Sequence, residues 1–472
     1  MTNDKSDNLE NHTFEEIQIG NSASLTRTLT KEDIQLFAVM SGDVNPTHLD
    51  EEFANKFLAG GLAGHSMWSG SIVSAILGTE LPGPGTIYLS QDLRFLRTIN
   101  LNDTVTVNVT AREKRPNKKS VIFDCSCINQ RGETVMTGTA EVIAPSEKIV
   151  IPRPLRPEIS LQMHDKYARL IERCSKFPSI VTAVAHPCDE SSLTAVLDAV
   201  KTGIIEAILV GPAHKIKAVA DGLGFDISAY LIVDAPHSHG AAAKAVELIR
   251  EGKAEVLMKG SLHTDELMRE VVRSDTGLRT KRRITHAFIM DVPTYHKPLI
   301  ITDAAVNIYP ELDEKVDICQ NAIDLAHVLG IECPKVAILS AVETVNPKIK
   351  STIEAAALCK MADRGQITGA LLDGPLAFDN AISKMAAKIK KIESSVAGDA
   401  DVILVPDLES GNILAKQLTF MANADAAGIV LGARVPIVLT SRADSGRSRI
   451  ASCAIAALIA DARRRADAKS EV

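Results

Sequence analysis

The sequence is poor in aromatic residues and carries no excess of positive charge. Aromatic side chains make up 4% of the 472 residues, with a single tryptophan, and the formal net charge is −7. Proteins that bind nucleic acids usually present basic surfaces, and those that bind single strands also stack bases on aromatic rings. The composition therefore argues against a nucleic-acid-binding protein, whereas 46% of hydrophobic residues is typical of a globular chain.

Clustered cysteines and long apolar runs are also missing. The eight cysteines are scattered and no pair of CxxC motifs is present, so we expect no metal site and a reducing environment. No apolar run reaches the roughly 18 residues that a membrane span needs. The first residues, MTNDKSDNLENH, lack the apolar core of a signal peptide. We therefore expect a soluble, cytoplasmic protein that does not bind membranes.

The sequence changes character twice along its length. Residues 1–12 are predicted to be a disordered tail. Residues 13–144 contain alternating apolar and polar residues with helical patterns between them, which predicts an α+β domain with an antiparallel sheet. Residues 145–160 hold four prolines and are predicted to be a linker. In residues 161–472, about nine short apolar strands alternate with helices, which predicts an α/β domain with a mainly parallel sheet and two lobes around a cleft.

The octet DVNPTHLD, from Asp43 to Asp50, is the most informative motif of the first domain. Asp43 and His48 are five residues apart, and Pro46 stiffens the loop that joins them. A carboxylate and an imidazole at a fixed separation are suited to acid–base chemistry. For the motif alone, an equally good interpretation is that Asp43 caps a turn and His48 is an ordinary surface histidine.

The segments after the octet resemble the MaoC-like (R)-specific enoyl-CoA hydratases. They are GGLAGHSM, the apolar helix WSGSIVSAIL, the turn LPGPG and the strand TIYLSQDLRFLRTI. The resemblance covers nearly all of residues 13–144 and implies a hot-dog fold, a long helix wrapped by an antiparallel sheet, usually in a dimer. It also implies that Asp43 and His48 are the catalytic pair. They would activate a water for attack on the β-carbon of an enoyl thioester and return a proton to the α-carbon.

The same resemblance implies roles for four further residues. Ser66 stands where the family has a glycine whose N–H binds the thioester oxyanion; the amide remains, but a side chain now crowds the site. Ser74 matches a family serine near the active-site water, and the alternative is a small residue packed against the sheet. Asn45 is expected to orient the loop at the substrate site, and His65 to be structural. The change at Ser66 leaves open a non-catalytic module that binds CoA or forms dimers.

Several predicted strands of the second domain end in small, polar or basic residues. In parallel sheets, ligands bind at the carboxyl ends of strands. A Gly-Ser-Leu-His-Thr loop at a helix start could bind phosphate through free backbone amides, hydroxyls and the helix dipole. Taken alone, each such loop is better explained as a helix cap. The basic run RTKRR, residues 279–283, is taken alone better explained as a solvated face. The candidate residues are Gly260, Ser261, His263, Arg282, Arg283 and Asp373.

The second domain resembles the phosphate acetyl/butyryltransferase family from about residue 161 to 465. The strongest segments are LMKGSLHTDELM, TKRRITHAFIMDVPTYHKPLIITDAAVNIYP, ADRGQITGALLDGPLAFDNAIS, VPDLESGNILAKQLTF and LTSRADS. The resemblance implies acyl transfer between CoA and inorganic phosphate without a tightly bound cofactor. Ser441 and Arg442 match the serine–arginine pair that binds and polarises the acyl phosphate. Where acetyl-specific members have an aspartate as thiol base, this chain has Ser448, and the nearest candidate is Asp444.

Together the two resemblances imply a bifunctional, homo-oligomeric enzyme whose substrates are acyl-CoA, inorganic phosphate and acyl phosphate. One alternative is that only the transferase is active. Another is a dehydrogenase with a related two-lobed α/β fold, and the missing glycine-rich dinucleotide fingerprint argues against it.

Overall fold

The computed structural model describes residues 8–58, 60–154, 159, 166–174, 176–439 and 445–470, with the backbone alone for 467–470. The described residues form two compact units, one up to residue 159 and the other from residue 166 onward. Among these residues, no helix combines the length and the apolar character needed to cross a membrane.

The first unit is an antiparallel sheet that wraps a long helix. Its elements are β1 (Asn8–Glu10), β2 (Ser22–Thr28), α1 (Lys31–Ser41), α2 (Pro46–Leu49), α3 (Glu51–Phe57), α4 (Ser66–Thr79), β3 (Ile87–Phe95), β4 (Thr104–Arg115), β5 (Ser120–Asn129), β6 (Thr134–Ile143) and β7 (Val150–Pro152). Five strands form a sheet in the order β2-β4-β5-β6-β3, with every pairing antiparallel. Alternate residues of β4, such as Val105 and Val107, pack with Ile72 and Ile76 of α4 in one core. The predicted hot-dog fold is confirmed.

Both ends of this unit differ from the sequence-based expectation. Strand β1 pairs with β7, and Leu9, opposite Ile151, is buried. The prediction of a disordered tail is therefore wrong for residues 8–12, and the predicted linker begins too early, because the N–H of Phe14 donates to the Pro145 carbonyl at 2.8 Å. A three-residue strand shows too little alternation to be recognised, and its partner lies far along the chain.

The second unit contains eleven strands in one sheet within its described residues. Its elements are α5 (Lys166–Cys174), β8 (Ile180–Ala185), α6 (Glu190–Lys201), β9 (Ile205–Gly211), α7 (Ala213–Leu223), β10 (Leu231–Asp234), α8 (Ser238–Arg250), β11 (Val256–Lys259), α9 (Thr264–Val271), β12 (Thr285–Asp291), β13 (Leu299–Thr302), α10 (Leu312–Val328), β14 (Lys335–Leu339), α11 (Lys350–Asp363), β15 (Leu371–Leu376), α12 (Phe378–Ile382), α13 (Lys384–Ile389), β16 (Val402–Leu404), α14 (Leu408–Met421), β17 (Asp425–Leu431), β18 (Ile437–Val438) and α15 (Gly446–Ser470).

The direction of these strands decides which loops can meet. The sheet order is β10-β9-β8-β11-β18-β17-β12-β13-β16-β14-β15. The pairings β18–β17, β17–β12 and β12–β13 are antiparallel, and the others are parallel. The two parallel groups, β8 to β11 with β18 and β13 to β16, therefore run in opposite directions. The mainly parallel α/β architecture is confirmed, and the two expected lobes share one continuous sheet whose loops open at opposite edges.

Candidate active sites

Asp43 and His48 are brought together by the loop between α1 and α2. Helix α1 ends at Gly42, whose left-handed backbone (φ 75°) turns the chain. Asp43 Oδ1 accepts the N–H of Asn45, and Asn45 Oδ1 accepts the N–H of Thr47, both at 3.2 Å. These bonds cap α2 and stiffen the loop. As a result, Asp43 Oδ2 lies 3.8 Å from His48 Nε2.

A backbone carbonyl fixes which nitrogen of the His48 ring carries the hydrogen. Nδ1 of His48 donates to the carbonyl oxygen of Ala63 at 2.7 Å. Because a carbonyl oxygen can only accept, Nδ1 carries the proton, and Nε2 of the neutral ring keeps a free lone pair. That lone pair is on the side of Asp43. The His48 side chain is 13% exposed, whereas that of Asp43 is 52% exposed.

His65 supports the same loop from the interior. Its side chain is 2% exposed, and its Nε2–H donates to the Asp43 carbonyl oxygen at 3.0 Å. Its ring packs against those of His48, at 3.9 Å between centroids, and Phe37, at 4.9 Å. Nitrogen and carboxylate atoms of Asp43, His48 and His65 lie within 4.8 Å of one another, as metal ligands would. The Nε2 proton of His65 is already committed to Asp43, however, which favours a positioning role over metal binding.

Ser66 and Ser74 lie on helix α4, close to this pair in sequence. Ser66 is the first residue of the helix, and no acceptor within the described residues bonds to its N–H. That amide is one of the free donors of a helix start. Ser74 is exposed, so it does not pack against the sheet. Both remain predicted residues of the substrate site.

In the second unit, the loop after β11 is held by the end of strand β8. The N–H groups of Gly260 and Ser261 donate to the carbonyl oxygens of Ala185 and His186, at 2.8 and 2.9 Å. The expectation that these amides are free to bind an anion is therefore wrong, because both already donate hydrogen bonds to carbonyl oxygens at the end of the neighbouring strand. His263 is exposed at the N-cap position of α9 and makes no side-chain capping bond.

Arg282 and Arg283 do not lie beside this loop. They precede β12, which runs in the same direction as β11, so they lie at the edge of the sheet opposite to Gly260. Arg283 forms an ion pair with Glu314 at 2.6 Å, and Arg282 approaches Asp324 at 3.7 Å. These two candidate phosphate-binding arginines are thus paired with carboxylates of helix α10.

Asp373 also lies away from this loop, in the last strand of the sheet. It lies in β15, which runs opposite to β11, and its Oδ1 accepts the N–H of the next residue, Gly374, at 2.8 Å. The predicted phosphate residues therefore form two separate groups. The sequence pattern identifies strands but does not tell in which direction each one runs.

Ser441, Arg442 and Asp444 lie outside the described residues. On one side of them, β18 pairs in parallel with β11, with Val438 opposite Met258. On the other side, Arg449 of α15 donates to the carbonyl oxygen of Ser191, in the first turn of α6, at 2.9 Å. Both flanks of residues 440–444 are therefore anchored at the edge of the sheet where β8 and β11 end.

Two further features of the structure are not predicted from the sequence. His186 follows β8 and bonds to Ser261; the polar run after a predicted strand could have indicated it. Lys315 and Glu354 form an ion pair at 2.6 Å with side chains only 6% and 8% exposed, in the wall of a cavity of about 640 Å³. Nothing in their local sequence signals that pair, because α10 and α11 must pack before the two charges meet.

Two sequence families match the chain. Residues 15–126 match the family described as "MaoC like domain", and residues 237–457 match the family described as "Phosphate acetyl/butaryl transferase". A phosphate acetyltransferase from Rhizobium meliloti is 65% identical over 301 residues, which are 64% of this chain and 95% of that protein.

Solved structures resemble each unit. A branched-chain phosphotransacylase from Enterococcus faecalis V583 is 31% identical, with a TM-score of 0.54, over 60% of this chain and 99% of that one. An R-hydratase from Pseudomonas aeruginosa is 40% identical over 33% of this chain and 99% of that one, with a TM-score of 0.32.

Proposed function

The chain belongs to the phosphate acetyl/butyryltransferase family and carries a MaoC-like domain before it, and we propose on this basis that it is a bifunctional acyl-CoA enzyme. The second unit exchanges an acyl group between CoA and inorganic phosphate. The first unit adds water to a 2-enoyl-CoA to give a 3-hydroxyacyl-CoA. Coenzyme A thioesters are the substrates of both units, and neither reaction requires a tightly bound cofactor.

The transferase proposal is carried by the 65% identity to a phosphate acetyltransferase over 95% of that protein. Acetyl-CoA is accordingly the first acyl donor to test, and butyryl-CoA the second. Ser441 and Arg442 would hold the phosphate, since a guanidinium can form two parallel hydrogen bonds with phosphate oxygens. Asp444 is the sequence candidate for the group that takes the thiol proton.

The transferase is tested by thiol release from acetyl-, butyryl- and hexanoyl-CoA, with and without inorganic phosphate, using the full-length chain. We expect phosphate-dependent release of free CoA from at least one of them. Arg442→Ala should raise the KM for phosphate or lower kcat strongly. Release from none of the three thioesters would contradict the transferase proposal.

The hydratase proposal is carried by the separation of Asp43 and His48. Their facing atoms are 3.8 Å apart, too far for a direct hydrogen bond but suitable for one water that donates a hydrogen to each. His48 Nε2 or the carboxylate can then take the proton as the water oxygen attacks the β-carbon. The group that took this proton then returns it to the α-carbon, so that one water is added across the double bond. The Ser66 N–H would bind the thioester oxygen, which gains negative charge in this step.

The hydratase is tested with crotonyl-CoA, whose enoyl absorbance falls on hydration. The alternative is a binding or dimerisation module without activity, and the intact Asp43–His48 geometry favours catalysis over it. Absence of hydration with every enoyl-CoA from four to six carbons would sink the hydratase half while leaving the transferase assay unaffected.

Homo-oligomerisation is part of the proposal. Strand β3 is at the edge of the first sheet and exposes two large apolar side chains, Ile87 at 58% and Leu89 at 47%. Exposed apolar edges of this kind usually pair with another chain. Light scattering on the purified protein should give at least twice the mass of 50.6 kDa, and a monomer would contradict the proposal.

A further inference from the structure

His186 and Ser261 form a hydrogen-bonded pair where β8 and β11 end. His186 directly follows β8 and has a left-handed backbone, with φ 57°. This conformation is uncommon for residues other than glycine, and residues held in it cluster at active sites. A Cβ on Gly260 would lie 2.6 Å from the His186 carbonyl oxygen, so only glycine fits beside it. Gly260 therefore allows the ends of β8 and β11 to approach closely at His186.

The hydrogen bonds of Ser261 decide which ring nitrogen of His186 carries the proton. Ser261 Oγ lies 2.8 Å from the carbonyl oxygen of His186, which can only accept, so the hydroxyl donates its single proton there. Oγ then accepts from the N–H of Cys188 at 3.3 Å and from His186 Nδ1 at 3.0 Å. Nδ1 carries the proton, and Nε2 keeps its lone pair. In the described part of the chain, no hydrogen bond occupies Nε2.

The surroundings of the ring hold the pKa of His186 below its ordinary value, which favours the neutral form near pH 7. Burial, and then Lys215 on α7, lower the pKa of His186; Glu266 on α9 and Asp189 before α6 oppose this shift without outweighing it. His186 is half-buried. A neutral imidazole with a free lone pair is the usual general base of enzymes.

The pair lies beside the described chain that leads into and out of the predicted phosphate-binding segment. In the sheet, β11 lies between β8, which ends before His186, and β18. On the other flank, the bond from Arg449 to Ser191 ties the start of α15 to helix α6, which begins shortly after His186. A CoA thiol that attacks an acyl phosphate at this edge would therefore find His186 nearby.

We propose that His186 Nε2 is the general base that takes the CoA thiol proton, with Ser261 as its positioning residue; the proposal rests on the proposed transferase function. As the sulfur forms a bond to the acyl carbon, the S–H proton passes to Nε2. The bond from that carbon to the phosphate oxygen breaks, and its electron pair leaves with phosphate. The imidazolium then returns its proton to phosphate. A thiol with an ordinary pKa of about 8.5 needs this assistance at neutral pH.

His186→Asn is the most direct test. Asparagine tolerates the left-handed backbone, and its side-chain amide can replace Nδ1 as the donor to Ser261, so that only Nε2 is lost. We expect kcat for acyl transfer to fall by about 10²–10⁴-fold, the usual effect of a lost general base. In the wild type, kcat/KM should fall as the pH drops below the pKa of His186, and this acidic limb should be absent in the variant. His214→Asn, at an exposed histidine of α7, is the matched control and should retain full activity.

Ser261→Ala separates positioning from phosphate binding. If the hydroxyl orients His186, kcat should fall about tenfold or more with little change in the KM for phosphate. A raised KM with unchanged kcat would instead make Ser261 a phosphate ligand and overturn its positioning role. The role of His186 would be overturned by a normal kcat in a folded His186→Asn, or by an acidic limb that this variant retains. It would also be overturned if Asp444→Asn, and not His186→Asn, lowered kcat by about 10²–10⁴-fold. Failure of the transferase proposal is recognised separately, because the wild type would then release no CoA.

Discussion

Replacement of Asp43 by asparagine removes one charge and leaves the surrounding hydrogen bonds in place. Asparagine keeps an Oδ1 that can accept the N–H of Asn45, and the backbone carbonyl still accepts from His65. The side chain is 52% exposed, so the change in folding stability should stay within about 0.5 kcal/mol. What is lost is an acceptor on the side of His48, since the amide nitrogen donates and cannot accept a hydrogen from water.

The expected kinetic loss follows from that single change. A water between Asp43 and His48 would lose one of its two acceptors, and the site would lose one of its two proton-transfer groups. Removal of such a group typically costs 10²–10⁴-fold in rate, which corresponds to about 2.7–5.4 kcal/mol at 1.36 kcal/mol per tenfold. We therefore expect hydration of crotonyl-CoA by Asp43→Asn to be at least a hundredfold slower than by the wild type.

Two controls make the measurement decisive. Asp50→Asn changes the same charge seven residues away, where Asp50 caps α3 through a 2.9 Å bond from the N–H of Phe53, and asparagine caps equally well. Phosphate-dependent CoA release by the second unit reports the amount of intact protein in the same sample. If Asp43→Asn retains more than a tenth of the wild-type hydration rate, or if Asp50→Asn loses as much, the acid–base role of Asp43 is refuted.

Three further predictions concern specificity and stability. Ser66→Gly should raise hydration of hexenoyl-CoA relative to crotonyl-CoA, measured as the ratio of kcat/KM, because it removes the side chain beside the oxyanion donor; an unchanged ratio would contradict this. Lys315→Met should cost about 3–5 kcal/mol in calorimetric unfolding, since it leaves Glu354 buried without its main partner, and adding Glu354→Leu should recover most of that loss. Burial alone would raise the pKa of Asp399, but hydrogen bonds from Lys335 and Lys297 lower it well below its ordinary value of about 3.9. This contribution to stability is complete above that value and is lost as the pH falls below it, so Asp399→Asn should flatten the fall of Tm as the pH drops below about 4.

The sequence predicts this fold well where the pattern is local. Alternation in β4 and β5 and the apolar stripe of α4 are visible within ten to fifteen residues, and the structure confirms the sheet and the helix they indicate. Strand direction is not local, because it depends on the whole path of the connections. For that reason the sequence pattern groups Arg283 and Asp373 with Gly260, although Arg283 precedes a strand that runs with β11 and Asp373 lies in a strand that runs against it.

The same distinction applies to the sites. Asp43 and His48 meet because a capped turn brings neighbours in sequence together, and a motif is sufficient to predict this. His186 and Ser261 are 75 residues apart, and they meet only because Ala185 pairs with Lys259 in the sheet. A motif that covers one strand end cannot show which other strand end lies beside it.

The two candidate bases are prepared by the same device, with different consequences for experiment. In both His48 and His186, Nδ1 donates to a fixed oxygen, so that the lone pair of the neutral ring resides on Nε2. For His48 the acceptor is the backbone carbonyl of Ala63, which no side-chain substitution removes. For His186 it is the hydroxyl of Ser261, which alanine abolishes. At the proposed transferase base, a mutation can therefore remove the oxygen that fixes the tautomer without altering the imidazole itself. At the proposed hydratase site, only the ring or its partner Asp43 can be changed.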